Sequence, residues 1–459
     1  MVAGAAAVVA PARYVRFGEV RPILDELKSS LPRELMSSSP RSLEAAWPGW
    51  LERRDREIRA RLEQGDEDTI VNWLLFGTSF TTKPRALLGA VDSPGGDQEE
   101  VLRRTIELIS ARLDDLVRAL TMPGNDERRL FARALLERKG IRVGTGADRE
   151  AAREYLLKAV IRVAAEQDLI DQELGATSAS EPMAEFVRRS SLFRTRGLSL
   201  DTSLVTNYSV ERALEAMKTR GLLTPGAVRR VAIVGPGLDF ADKDVGLDNY
   251  PPQTVQPFAV LDALRRLGLA PSSGNPEIVL LDISPRVIDH VTQARARAAK
   301  GVGYTLNLPL PNSTPWVPEV RAYWQRFGDR IGTAAESSQA KTIANLAQLR
   351  TVRVRPSAVQ QLSVLNVNIV TDRLDGERFD LVIATNVFIY YDVLDQALAL
   401  ANAEAMLRPG GFLMANFSAP ALKSLRMPRV DTTTSLYARG RGTTEDILDF
   451  IVSYQRGAL

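Results

Sequence analysis

Residues 231–237 (VAIVGPG) run a β-branched stretch straight into the turn Gly235-Pro236-Gly237. Glycine takes positive φ without strain and, lacking a Cβ, lets the backbone approach a ligand closely. A Gly-x-Gly turn at the carboxyl end of a first strand therefore suits a nucleotide or nucleoside. A pyrophosphate would want a helix N-terminus directly after the turn. Here Asp239 and Phe240 follow instead, the third glycine of the dinucleotide fingerprint is missing, and no helix signal begins before about Gln256. A nicotinamide or flavin dinucleotide is thus disfavoured. Residues 278–284 (IVLLDIS) then place Asp282, followed by Ile283, at the carboxyl end of a second strand. A carboxylate there accepts hydrogen bonds from both ribose hydroxyls of an adenosine. Asp282 also suits a plain helix cap, because Ser284-Pro285 reads as a helix start. Its pairing with the glycine turn favours the ligand role.

Residues 379–392 (FDLVIATNVFIYYD) put Asn386 and Val387 just past a fourth strand, and residues 407–416 (LRPGGFLMAN) read as a helix end, a Pro-Gly-Gly turn and a fifth strand. In order and content these blocks resemble the class I S-adenosylmethionine methyltransferases, for which the FDLV and PGG pair is far more specific than the glycine turn. The nearer likeness within that class is to the chemoreceptor glutamate methyltransferases. Residues 368–372 (NIVTD) with 379–392 are similar to that family's N-L-x-D and F-D-L-I-x-x-R-N-V-L-I-Y-F-D stretches, and 256–263 (QPFAVLDA) resembles its E-P-Y-S-I-A-M segment. The resemblance covers about half the chain and implies S-adenosylmethionine as cofactor. It puts the Gly235-Pro236-Gly237 turn against the methionine part, Gln256 at its amino group, Asp282 and Ile283 at the ribose, and Asn368 and Ile369 beside the adenine. Asn386 and Val387 would stand beside the sulfonium and its methyl. A fragment at 191–194 (SLFR) is similar to the family's entry segment and would set Arg194 near the cofactor carboxylate, although a surface arginine is the simpler reading. The chain departs from the family at Gln256, where a glutamate stands, at Thr385, where an arginine stands, and in the extra stretch 238–255.

Methyl transfer is an in-line displacement, so the enzyme mainly aligns nucleophile and methyl and excludes water. A hydroxyl or ammonium acceptor gains from a general base, whereas a carboxylate needs none. The chain has no cysteine and one histidine. That excludes thiolate nucleophiles, disulfides, cysteine metal sites and any site needing two imidazoles; no metal is expected. The remaining candidates for proton acceptor are Asp392, Asp239, Tyr390 and Tyr391, with Asn386 orienting rather than accepting. This poverty of bases mildly favours an acceptor oxygen that is already anionic, on a small molecule or a protein side chain. His290, in a helix after the second strand, reads as a surface residue. Arg295, Arg297 and Lys300 make only a modest basic cluster, which disfavours a nucleic-acid acceptor. The competing reading is a methyltransferase fold kept as a cofactor-binding scaffold without turnover.

What positions these residues is an α/β unit. After Arg220-Gly221 short β-branched runs alternate with helices, which predicts βαβ units and a Rossmann-like, doubly wound, mostly parallel sheet. The strand candidates are 231–234, 278–282, 362–368, 380–384, 411–417, 433–438 and 450–455. Residues 1–205 read as an all-helical N-terminal domain of about five to eight helices, with breaks at 37–40, 92–97 and 122–126. The domain 206–459 carries insertions at 238–255, expected to be a substrate-facing lid, and at 301–361, expected to hold a Pro-rich loop (308–318), a helix near 319–331 and a short strand at 351–355. At 459 residues two domains are the natural expectation. With 45% apolar and 25% charged residues the chain is an ordinary globular one, and a net charge of +3 supplies no strong positive field. No apolar run has the length of a membrane helix. The apolar start, residues 2–10, lacks a basic flank and reads as a tail rather than a processed signal, so a cytoplasmic protein with no membrane partner is expected.

Overall fold

The computed structural model describes residues 12–36, 40–86, 98–175, 197–200, 204–241, 247–248, 251–337, 339–376, 378–419, 422–440 and 446–457. The expectations for residues 2–10, for the break at 92–97 and for Arg194 lie outside them. In chain order the strands are β1 (Ala12–Tyr14), β2 (Arg230–Val234), β3 (Glu277–Asp282), β4 (Tyr304–Pro311), β5 (Gly332–Ala335) and β6 (Ala347–Val354). There follow β7 (Leu362–Asn366), β8 (Asp372–Leu374), β9 (Phe379–Ile383), β10 (Leu407–Ala415), β11 (Arg429–Ala438) and β12 (Ile447–Gln455). The long helices are α1 (Phe17–Glu26), α2 (Pro40–Phe76), α3 (Gln98–Thr121), α4 (Glu127–Arg138), α5 (Gly146–Gly175) and α6 (Leu204–Thr219). They continue with α7 (Gln256–Arg266), α8 (Pro285–Ala299), α9 (Pro318–Arg326) and α10 (Val393–Met406).

All seven strand candidates enter one seven-stranded sheet, ordered β11-β12-β10-β9-β2-β3-β7. β7, β3, β2, β9 and β10 are mutually parallel, and β12 runs antiparallel to both β10 and β11. The chain steps from β2 outward to β3 and β7, then returns to the other side of β2 with β9. The crevice over the carboxyl ends of β2 and β9 is therefore the topological switch point, where ligands bind in doubly wound sheets.

The continuous apolar runs are explained by burial on both faces, with side chains alternating at period two. Val231 and Ile233 of β2, Ile278 and Leu280 of β3, and Leu381 and Ile383 of β9 point into one core with α6 and α7. Ala232 and Val234, Val279 and Leu281, and Val382 point into the opposite core, which α10 shares with α1 and the first part of α2 through Phe17, Val20, Trp47, Trp50 and Leu51. The rest of α2 packs with α3, α4 and α5 around Trp73, Leu113, Leu116 and Leu136, and Phe240 and Ala241 of the insertion join that cluster. Helix α2 thus serves both the sheet and the bundle.

The insertion 301–361 differs from its expected form. Residues 308–311 of the Pro-rich loop belong to β4, the edge of a three-stranded antiparallel sheet ordered β4-β6-β5. Proline is tolerated on an edge strand where its missing N–H would face outward. That is the case here: Asn307, of the same parity as Pro309 and Pro311, turns its backbone N–H and C=O away from β6 to the amide of Gln253, at 2.8 and 2.7 Å.

Candidate functional site

The cavity sits at the switch point, about 760 Å³ including its solvent-open mouth. That is the size range of small-molecule sites. Gly235, Gly237, Gln256, Asp282, Ile283, Asn386, Val387, Tyr390 and Tyr391 all line it, so most of the residues singled out by sequence meet in one place. Gly235 and Gly237 have φ of 61° and 75°. A Cβ on Gly235 would lie 3.0 Å from Val387 Cγ2, so both the turn and the close packing call for glycine. Pro236 is buried within the turn and does not line the cavity.

Asp282 is 5% exposed. Its Oδ1 accepts the Ser284 N–H at 2.7 Å, which is the helix-cap role, while its Oδ2 is buried with no hydrogen-bond partner among the described residues. Burial pushes the carboxyl up to about 7, against the pull of the Ser284 and Ile283 N–H groups. A buried, unsatisfied carboxylate oxygen costs stability unless a ligand supplies donors. The donor set of a ribose, two adjacent hydroxyls, fits that oxygen and its cavity.

Asn386 stands in the left-handed region at φ 58°, uncommon for any residue but glycine. Its N–H donates to Asn416 Oδ1 at 2.7 Å, and Asn416 Nδ2 donates back to Asn386 Oδ1 at 2.5 Å. The two positions at which the chain departs from the resembled family face each other. Gln256 Nε2 donates to Thr385 Oγ1 at 2.7 Å, with both residues buried in the cavity wall. The pair is neutral, where glutamate and arginine would make an ionic one. Gln256→Leu and Thr385→Val alone should each cost about 1 to 2 kcal/mol, and the double variant less than their sum, because an apolar pair leaves no orphaned group. Urea unfolding of the three variants checks this; strictly additive losses would rule out the coupling.

Asn368 and Ile369 are not brought to the cavity. β7 ends at Asn366 rather than 368. The chain then turns so that Asn368, fully buried, donates to Asp55 Oδ1 of α2 at 2.8 Å and accepts the Val370 N–H at 3.1 Å. Ile369 is core. Asp392 also lies outside the cavity lining. Its carboxylate caps α10 by accepting the Asp395 N–H at 2.9 Å and pairs with Arg54 at 2.9 Å. Asp239 is held in a backbone bridge to Gln253, away from the lining. Tyr391 is buried, and burial drives its phenol far above the ordinary value. The backbone carbonyl of Tyr390 accepts from Arg61 at 2.7 Å.

His290 is half-buried rather than a surface residue. Its Nε2 lies 2.6 Å from the hydroxyl of Tyr304, which also accepts the Thr254 N–H at 2.9 Å. Burial, then Arg297 and Arg286, lower the histidine to about 4, which keeps the imidazole neutral beside that hydroxyl. The described part of 238–255 is likewise not a lid. Leu238, Phe240, Leu247, Asp248, Gln253, Thr254 and Val255 are buried. Asp248 accepts from Thr78 N at 2.7 Å, Ser79 N at 3.0 Å and the Trp73 indole, which moors the insertion to the bundle.

Sequence reasoning missed the outer wall: Leu62 of α2, Leu198, Ser199 and Leu200, and Thr206 and Asn207 of α6. Leu198 N–H bonds Arg61 O at 3.1 Å and Leu238 N–H bonds Leu200 O at 2.8 Å, threading 197–200 between α2 and the glycine turn. Nothing in the local sequence announces a strap made by packing across that distance.

No family model matches the chain, and no curated protein matches it. Among solved structures it is similar to the N-methyltransferase NodS of Bradyrhizobium japonicum with S-adenosyl-L-homocysteine, at 14% identity over 60% of this chain and 98% of that one, TM-score 0.26. It is also similar to the magnesium protoporphyrin IX methyltransferase of Synechocystis with bound S-adenosylmethionine, at 12% identity over 61% and 100%, TM-score 0.26. The citrinin polyketide synthase CMeT domain aligns at 13% identity over 97% and 99%, TM-score 0.29. Among the described residues there is no cluster able to hold a metal ion and no helix long and apolar enough to cross a membrane.

Proposed function

We propose that this chain is an S-adenosylmethionine-dependent methyltransferase that acts on a small molecule or a protein side chain. The observation that carries the reading is Asp282, which lines a cavity shared with the glycine turn, Asn386 and Val387 and keeps one buried carboxylate oxygen without a partner among the described residues. When bound, the cofactor supplies a methyl group on a positively charged sulfur that is already a good leaving group. Asp282 would receive the ribose hydroxyls, the Gly235 and Gly237 backbone would admit the methionine part, and Asn386, locked by Asn416, would fix the wall beside the reacting centre. Leu62, Leu198, Leu200 and Val387 would give it an apolar wall that limits water once ligand fills the cavity, which strengthens the polar contacts inside. The nucleoside would rest against Ile283 rather than Asn368 and Ile369, and with those two residues goes part of the likeness to the chemoreceptor enzymes. Because Gln256 and Thr385 satisfy each other, they give no ground for a silent scaffold.

Calorimetric titration of the protein with S-adenosylhomocysteine tests the reading. Saturable binding is expected, and Asp282→Ala should weaken it by about 1 to 3 kcal/mol through the unpaired ribose hydroxyls. Unchanged affinity in that variant would remove the assignment of the carboxylate, and no heat at millimolar ligand in a folded sample would remove the cofactor. Tritium from methyl-labelled cofactor should then appear in a fraction of cell extract; a scaffold would bind and label nothing.

A further inference from the structure

Asp282 and the glycine turn occupy the β2–β3 end of the cavity, which leaves an acceptor the other half of the sheet, over the ends of β9, β10, β12 and β11. Because β12 runs antiparallel to β10, its first residues stand at that same edge. Asp449 is there, half-buried. Tyr437, at the end of β11, donates to Asp449 Oδ2 at 3.0 Å, and the Phe450 N–H donates to Oδ1 at 2.8 Å. The Asn416 side chain is within reach of the same carboxylate. Ser209 of α6 bonds the Tyr437 hydroxyl at 2.7 Å, and Thr206, one turn earlier, lies within reach of it. A polar network therefore runs from one cavity-lining residue, Thr206, through Tyr437 and Asp449 to Asn416 and another, Asn386.

Among the described residues no lysine or arginine pairs with Asp449, unlike Asp392 and Asp395, which share Arg54. Burial holds the Asp449 carboxyl above the ordinary range, against the pull of the Phe450 N–H, Tyr437 and Asn416. The titratable group facing it is Tyr437, itself driven up by burial and by Asp449. Asp449 does not itself line the cavity, but a carboxylate held by neutral donors, without a cation, and joined through Tyr437 to the cavity-lining Thr206 is suited to accept a proton.

We propose that Asp449 is the proton acceptor of the transfer, serving a neutral O–H or N–H nucleophile bound between Thr206 and Asn386. This rests on the methyltransferase reading. The acceptor's proton enters at the Thr206 hydroxyl and reaches Asp449 through the Tyr437 hydroxyl, each passing on its own proton as it receives one; the acceptor's lone pair bonds the methyl carbon, and the carbon–sulfur bond breaks with its electrons remaining on sulfur. Sulfonium and carboxylate go to thioether and carboxylic acid, so charge balances, and the proton leaves to water afterwards. The scarcity of bases that favoured an anionic acceptor is thereby removed.

The test needs no knowledge of the acceptor. Titrations of the full chain with S-adenosylmethionine and with S-adenosylhomocysteine, each in buffers of different ionisation enthalpy, count the protons exchanged on binding. Asp282 meets the same ribose in both, so its contribution largely cancels in the difference. The sulfonium charge is present in one ligand only and favours the ionised form of a carboxylate beside it. More protons should be released with the methylated ligand, and the difference should vanish in Asp449→Asn while S-adenosylhomocysteine still binds. Equal proton counts in the parent protein, or a difference that survives Asp449→Asn, would overturn the proposal. Tyr437→Phe keeps the carboxylate and removes a donor that lowers it, so the proton difference should move to higher pH; an unmoved difference counts against the assignment even if Asp449→Asn does not fold. If neither ligand binds, it is the cofactor reading that has failed, and the proposal falls with it.

Discussion

Affinity for S-adenosylhomocysteine should fall about tenfold for each pH unit below about 7, reaching roughly a hundredfold two units down. In the unliganded protein burial raises the Asp282 carboxyl to about 7, so below that pH it holds a proton. Ribose hydroxyls donate to the ionised form, and binding must then displace the proton. The sign for folding runs the other way. A carboxyl whose folded pKa lies above its unfolded value binds more protons when folded, so it favours folding at low pH and loses that contribution as pH rises from about 4 to about 7. Saturation with ligand should remove this slope from the stability curve. The check is a calorimetric pH series on the parent protein and Asp282→Asn. Asn cannot ionise, so its weaker binding should be flat over the same window; a parallel slope in both proteins would show that another group titrates.

Asp282 was legible because its two surroundings are local: an apolar strand before it and a Ser-Pro helix start after it. The same holds for the seven strands, whose apolar runs state that both faces are covered. It holds for the glycine turn and for Asn386 and Val387, which stand a fixed step past β9. What could not be read depends on contacts between distant segments. The family resemblance puts Asn368 beside the adenine, but Asp55, on a helix more than 300 residues earlier, captures its side chain. Asp449 escapes the sequence because the strand candidate begins at Phe450, three residues after β12 does, and because Tyr437, which donates to it, Ser209, which bonds that tyrosine, and Asn416 stand far apart in the chain. The insertion 238–255 carried the composition of an exposed loop, with several acidic residues and prolines. Only the folded chain reveals that the Asp248 carboxylate is satisfied by hydroxyl, indole and backbone donors of the bundle.

That mooring leads to the largest effect expected of a single substitution. Phe240 is 1% exposed and three residues beyond the glycine turn. Its ring meets Trp73 at 5.7 Å and Phe131 at 5.5 Å, both edge-on, with the guanidinium groups of Arg128 and Arg286 at 5.4 and 5.3 Å from its centroid. Phe240→Ala would remove the ring from a packed cluster and leave two partly buried cations facing a void, so it should cost about 3 to 5 kcal/mol in urea unfolding. The loss should also weaken S-adenosylhomocysteine binding although Phe240 lines no part of the cavity. The turn is held at one end by β2 and at the other by an insertion that Phe240 fixes to α2 and α4. Phe240→Leu, which keeps most of the apolar volume, should restore the larger share of both quantities. A stability change below about 1 kcal/mol for the alanine variant would mean that the ring is not the anchor its contacts describe. Lost stability with cofactor affinity intact would mean instead that the helical bundle and the ligand crevice are energetically separate, and that the strap 197–200 alone closes the outer wall.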